Sequence, residues 1–88
     1  MFSVLLSNAA KKQLKLLPKD YNERVVILLE RFEQEPVPSK AYDVRKIGGR
    51  DETYRVRLSS FRVEYRVFWE EKTVWVAFIE RRTGSTYQ

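Results

Sequence analysis

Two residue types on which much chemistry at neutral pH depends are missing from this chain, which has no cysteine and no histidine. Without cysteine there is no disulfide, no thiol nucleophile and no thiolate zinc site. Without histidine, the usual general base near neutral pH and the commonest metal ligand are both gone. Glycine and proline are scarce, with three of each, so the sharp breaks they make fall at only a few places. Long apolar runs are missing too. No stretch approaches the roughly 20 residues of a membrane-spanning helix. The run FSVLL near the start is too short for the apolar segment of a signal peptide, and basic residues follow it rather than precede it. The expectation is a cytoplasmic protein with no membrane, metal ion or cofactor in its working form.

What is present points to a folded basic globule. The 88 residues are 43% apolar and include five Tyr, five Phe and two Trp, enough for one domain spanning 1–88 with a modest core. Seventeen Lys and Arg against twelve Asp and Glu give a net charge of +5 and a pI near 9.7. That balance favours an anionic partner, with nucleic acid first and an acidic protein second, although a solvated basic surface produces the same count.

The most regular stretch runs from Thr53 to Trp69, TYRVRLSSFRVEYRVFW. Tyr54, Val56 and Leu58 alternate with Arg55 and Arg57. Beyond Ser59 and Ser60, the residues Phe61, Val63, Tyr65 and Val67 alternate with Arg62, Glu64 and Arg66. This is the period of two strands folded into a hairpin, apolar on one face and basic on the other. With the two serines as the loop, Leu58 pairs with Phe61, Val56 with Val63 and Tyr54 with Tyr65. Arg57 then stands opposite Arg62, and Arg55 opposite Glu64. A slip of one residue would break both alternations. Two arginines facing each other repel, so a face that keeps them is suited to an anion.

The rest of the chain falls into place around this hairpin. Phe2–Leu6 reads as a first strand covered on both faces. Ser7 is a good N-cap for a helix over Asn8–Leu17, with Ala10, Leu14 and Leu17 inward and Lys11, Lys12 and Lys15 outward. Those lysines are either a solvated helix face or a phosphate-contacting rim. Pro18 ends this helix, and a second one follows from Lys19 or Asp20 to Glu33, with Tyr21, Val25, Leu28, Leu29 and Phe32 on one apolar stripe. Glu35–Pro38 breaks it. A short strand lies within Ala41–Ile47, Gly48 and Gly49 turn the chain, and the last strand covers Val74–Ile79 after a loop at Glu70–Thr73. The predicted fold is α+β in the order β-α-α-β-β-β-β. A two-helix antiparallel hairpin covers one face of a mostly antiparallel sheet of four to five strands.

If Trp69 pairs with Val74 across that loop, Arg62 falls opposite Arg81. Arg57, Arg62 and Arg81 then form one row across three strands, about 10 Å long. Arginine suits such a row because its planar fork grips phosphate oxygens bidentately and it does not lose its charge. Tyr87, six residues beyond Arg81, is near enough in sequence to fold over the row and stack on a base or move a proton. Phe68, Trp75 and Ile79 are apolar groups on the same basic face, there to meet a partner or to be covered by the chain's own loops.

At these residues the sequence resembles the RelE toxins of the RelE/ParE toxin–antitoxin superfamily, particularly their short archaeal form. The segments that carry the likeness are SNAAKKQLKLLP, EQEPVP, YRVRLSSFRVEYRV and the terminal RRTGSTY, and together they span most of the chain. The resemblance implies a metal-independent, ribosome-dependent endoribonuclease that cuts mRNA in the ribosomal A site and leaves a 2′,3′-cyclic phosphate. It also implies a RelB-like antitoxin that wraps and neutralises the toxin, with the small ribosomal subunit and mRNA as the other partners.

Carried onto this chain, the family's motif matches Arg55 and Arg57 before the turn, Arg62 after it, Arg81 at the end of the last strand and Tyr87 near the C-terminus. Arg82 is the register-shifted alternative to Arg81. The implied catalytic set is Arg57, Arg62, Arg81 and Tyr87. Arg50, Arg55, Arg82, Lys11, Lys12 and Lys15 complete an RNA-binding surface. Well-known bacterial members carry lysines where this chain has Arg55 and Arg57, and arginine is a strong clamp but a poor proton donor. Two alternatives share the fold: a ParE-type toxin acting on DNA gyrase, and a catalytically silent module that binds RNA or antitoxin.

Overall fold

The computed structural model describes residues 1–47, 49 and 52–81. In chain order the elements are β1 (Ser3–Leu6), α1 (Asn8–Leu16), α2 (Lys19–Gln34), β2 (Asp43–Lys46), β3 (Thr53–Leu58), β4 (Phe61–Phe68) and β5 (Thr73–Arg81). The strands form one sheet in the order β1-β5-β4-β3-β2. β1 runs parallel to β5, and every other neighbouring pair is antiparallel. The predicted class, element order and strand count all hold.

Local chemistry explains each boundary of the helical hairpin. The Ser7 hydroxyl accepts from the Ala10 amide at 3.0 Å and starts α1. Leu17 is already extended, as the residue before a proline tends to be. The Asn22 side chain donates to the Leu14 carbonyl at 2.9 Å, satisfying one of the acceptors freed where α1 ends. Along α2, Val25, Leu28 and Phe32 recur at helical spacing and are completely buried. The Phe32 ring lies 4.2 Å from that of Tyr65. Tyr65 is itself fully buried, and its hydroxyl donates to the Pro36 carbonyl at 2.8 Å. Burial of side chains this large contributes roughly 1.5–3 kcal/mol each, so this layer fixes the sheet against α2.

The helices cover one face of the sheet only. Val56, Leu58, Phe61, Val63, Tyr65, Val67, Val74 and Val76 are buried beneath them. β1 is an edge strand, and its Leu5 is 55% exposed. The expectation that β1 is covered on both faces is therefore corrected, because it has a strand on one edge and the helices on one face.

The β3–β4 pairing agrees residue for residue with the register read from sequence, including Arg57 opposite Arg62. Ser59 takes φ 54°, the positive value required at the first position of a two-residue type II′ loop.

The β4–β5 pairing does not agree. Phe68 pairs with Thr73, Val67 with Val74 and Tyr65 with Val76, and then the register shifts so that Glu64 pairs with Phe78 and Val63 with Ile79. Ala77 is the extra residue of a β-bulge. A bulge inverts the alternation beyond it, so Ile79 is buried at 2% exposure while Phe78 turns to the open face. Helix α1 holds this irregularity in place. Ser7 donates its hydroxyl to the Ala77 carbonyl at 2.5 Å, and the Gln13 side-chain carbonyl accepts from the Ile79 amide at 2.7 Å.

Candidate nucleic-acid interface

The face of the sheet turned away from the helices is ordered in rows set by strand register. At the Ser59–Ser60 end the row reads Asp43, Arg57, Arg62, Glu80 across β2, β3, β4 and β5. The next row reads Arg45, Arg55, Glu64, Phe78. Farther along, Arg66 pairs with Trp75 and Trp75 with Leu5. The face therefore changes from cationic at the β2–β4 corner to apolar at the β1–β5 corner, where Trp75 and Phe68 are 40% and 36% exposed.

Asp43, Arg45, Arg55, Arg57 and Arg62 line an open depression of about 280 Å³ at the cationic corner. Among the described residues it holds four guanidinium groups and one carboxylate. Asp43 lies between two of them, 3.5 Å from Arg45 Nε and 3.8 Å from Arg57 Nη1. Glu80 Oε2 accepts from Arg62 Nε at 2.7 Å, a tight charge-assisted contact. These side chains are 34–80% exposed, so each ion pair contributes well under 1 kcal/mol to stability. Their effect is on direction: Arg57 is drawn to Asp43 on one side and Arg62 to Glu80 on the other. The clash foreseen between Arg57 and Arg62 is thus flanked by an acid on either side.

Arg81 is not in this row. It pairs with Phe61, and its guanidinium carbon sits 4.9 Å from the Phe61 ring on the helix side of the sheet. The hairpin closes at Phe68–Thr73 rather than Trp69–Val74, two residues from the predicted register, and the Ala77 bulge recovers one of them, which leaves Glu80 opposite Arg62 and turns Arg81 to the helix side. The same inversion buries Ile79, which is not an exposed group of the basic face.

On the helix side, Arg81 joins Tyr21. The Tyr21 ring lies 4.5 Å from Phe61, its hydroxyl is 3.4 Å from both Ser59 Oγ and Ser60 Oγ, and the Arg24 guanidinium is 5.5 Å from its ring. The two serine hydroxyls, followed by the Arg24 and Arg81 charges, hold the Tyr21 phenol below its ordinary value of 10.0. Lys11, Lys12 and Lys15 are exposed on α1, in the layer behind the sheet, and do not join the arginine depression. Arg50, Arg82 and Tyr87 lie outside the described residues.

The depression contains two residues that sequence reasoning did not single out, Asp43 and Arg45, and the row adds Glu80. A signal for the first two was present, because DVRK continues the alternation of the hairpin onto β2. Chemically, the cluster can bind a phosphodiester through several paired N–H donors and stabilise added negative charge on phosphorus. A guanidinium group is a poor proton donor, and among the described residues Asp43 is the one carboxylate in the lining. Among the described residues, no group of three or more Asp, Glu, His or Cys is placed to hold a metal ion, and no helix is long and apolar enough to cross a membrane.

Comparison with known proteins places this geometry in a family. The family model described as ParE toxin of type II toxin-antitoxin system, parDE, matches residues 4–84. RelE1 of Methanocaldococcus jannaschii, named as a candidate toxin, is 34% identical over 84 residues, covering 96% of this chain and 93% of that protein. Among solved structures, the RelE–RelB complex of the archaeon Pyrococcus horikoshii OT3 contains a chain that superposes with a TM-score of 0.86 at 31% identity, covering 96% of this chain and 98% of that one. The Escherichia coli RelBE toxin–antitoxin complex superposes with a TM-score of 0.78 at 20% identity, over 92% of this chain and 96% of that one, and supports the fold alone.

Proposed function

Since this chain belongs to the RelE/ParE superfamily of type II toxin–antitoxin toxins, we propose that it is a ribosome-dependent endoribonuclease that cleaves mRNA in the A site and so arrests translation. The observation that carries the reading is the uncovered sheet face with Arg45, Arg55, Arg57 and Arg62 around one depression. A gyrase-directed toxin has no evident need for such a cluster, whereas phosphodiester chemistry does. In this mechanism the RNA 2′-oxygen attacks the adjacent phosphorus, the bond to the 5′-oxygen breaks, and a 2′,3′-cyclic phosphate and a 5′-hydroxyl result. Arg57 and Arg62 stabilise the charge that builds on the phosphoryl oxygens. Arg55 and Arg45 hold the neighbouring backbone.

Tyr87 is the base for the 2′-hydroxyl in this reading, a role that a phenol can fill where positive charge makes it more acidic. Arg82 is the alternative to Arg81 for a third phosphate contact, because the bulge turns Arg81 toward Phe61. The proton for the departing 5′-oxygen comes from water or from a ribosomal group, since no arginine releases one. The controlling partner is a RelB-type antitoxin, as in the Pyrococcus complex, and the working partners are the small ribosomal subunit and mRNA in the cytoplasm.

Primer extension on mRNA from purified translating ribosomes tests the proposal. Cuts confined to the A site, appearing only when the protein is added, are the expected result. The family model that matches is named for ParE, and this favours one second reading, inhibition of DNA gyrase. Trapped gyrase–DNA complexes alongside intact mRNA would decide for that reading. RNA binding without cleavage on ribosomes would leave a silent binding module.

A further inference from the structure

We infer that Asp43 and Glu80 are internal anions that occupy the arginines of the free protein and are displaced by the phosphates of a bound nucleic acid. The inference rests on the preceding reading that this row meets RNA phosphates. Its basis is the order of charge along one row of the sheet: acid, arginine, arginine, acid, on four adjacent strands. Each arginine has its acid on the outer side, directly cross-strand. Glu80 accepts from Arg62 Nε at 2.7 Å, an N–H of the guanidinium's side-on fork, which can grip a phosphate bidentately. A phosphodiester that engages that fork must take the place of the Glu80 carboxylate. Asp43 holds Arg57 and Arg45 more loosely, at 3.8 and 3.5 Å, and is the easier of the two to displace.

The partial exposure of these pairs leaves the exchange open to an anion arriving from solvent, because Glu80 and Asp43 are 40% and 44% exposed. Both acids thus act as positioning residues that draw Arg57 to one side and Arg62 to the other until the substrate arrives, and as competitors that lower the affinity for RNA.

The test is the affinity of the full chain for a short single-stranded DNA oligonucleotide, which offers phosphates but has no 2′-hydroxyl to react. Glu80→Gln is expected to tighten binding about 1.5- to threefold at low salt, the lower part of the range for one exposed ion pair. The gain should shrink as salt screens the row. Glu64→Gln removes the same charge from the same face one row away and should give a clearly smaller gain. In the free Glu80→Gln protein the NMR signal of Arg62 Nε–H should already have left its paired position; in the parent it should move only on adding the oligonucleotide. A melting curve for each variant confirms that the fold is intact.

Binding by Glu80→Gln that is weaker than the parent, or no tighter than Glu64→Gln, overturns the inference while leaving the arginine site standing. If Arg57→Ala and Arg62→Ala bind the oligonucleotide as tightly as the parent, the site reading itself fails, and this inference fails with it.

Discussion

Replacing Ser7 by alanine should reveal how much of the sheet's geometry depends on one hydroxyl. Ser7 Oγ has two bonds: it accepts from the Ala10 amide at 3.0 Å as the N-cap of α1, and it donates to the Ala77 carbonyl at the bulge of β5. Loss of a serine N-cap costs about 1 kcal/mol. Loss of the donor to Ala77 costs about another 1 kcal/mol, somewhat less if water reaches the half-buried carbonyl. The expected destabilisation is therefore about 1.5–2.5 kcal/mol, or roughly 6–20 °C in Tm for a domain of this size.

Thermal and urea denaturation followed by circular dichroism would measure it. Ser7→Thr, which keeps both bonds, should stay close to the parent. Amide exchange adds a local readout. The Ile79 amide, bonded to Gln13 on the same helix, should exchange faster in Ser7→Ala, while amides of the β3–β4 pair should not. A loss below about 0.5 kcal/mol, or unchanged exchange at Ile79, would refute the idea that α1 anchors the bulge.

Other perturbations probe separate parts of the structure. Tyr65→Phe removes the buried hydroxyl that donates to the Pro36 carbonyl and should cost about 1–2 kcal/mol in urea denaturation; a loss near zero would mean that bond is replaced by solvent. Lys72 sits at φ 50° in the β4–β5 loop, so Lys72→Gly should relieve strain and leave stability unchanged or raise it by up to about 1 kcal/mol; a clear loss would show that the lysine side chain matters more than the backbone. Glu52 Oε1 accepts from Trp69 Nε1 at 2.9 Å and Tyr54 Oη at 2.7 Å, and these bonds, Trp69's first, hold its carboxyl below 4.5. A carboxyl lowered on folding stabilises the protein fully above its ordinary range, and that contribution is lost as pH falls through the folded value. The parent should therefore lose more stability than Glu52→Gln between about pH 5 and 3, and parallel curves would contradict the assignment.

How far the sequence disclosed this molecule depended on whether its alternation was continuous. In the hairpin, two serines fixed the loop and both faces alternated without interruption, so Arg57 opposite Arg62 was readable without coordinates. In β5 the run VAFIE offers apolar residues at consecutive positions. Phe78 and Ile79 were both acceptable inward residues, and only Ser7 and Gln13 on a distant helix decide that Ile79 is the one buried. Nothing local announces that decision, so plain alternation runs through Ala77 without a break and puts Arg81 on the wrong face. Glu80 went unnoticed for the same reason. Asp43 and Arg45 were legible in principle, but a four-residue edge strand gives little periodicity to argue from. The parallel placement of β1 beside β5 depends on the crossover through two helices and left no trace in the short run SVLL.

The central claim is that the arginines of the uncovered sheet face stabilise phosphodiester cleavage on the ribosome. Its most direct test is the single-turnover rate of A-site mRNA cleavage by Arg62→Ala relative to the parent, on identical translating ribosomes. Removing one such stabilising contact from a transition state typically lowers the rate about a hundredfold or more, and a fall of that size is the result predicted here. Cleavage by Arg62→Ala at the parental rate would contradict the account.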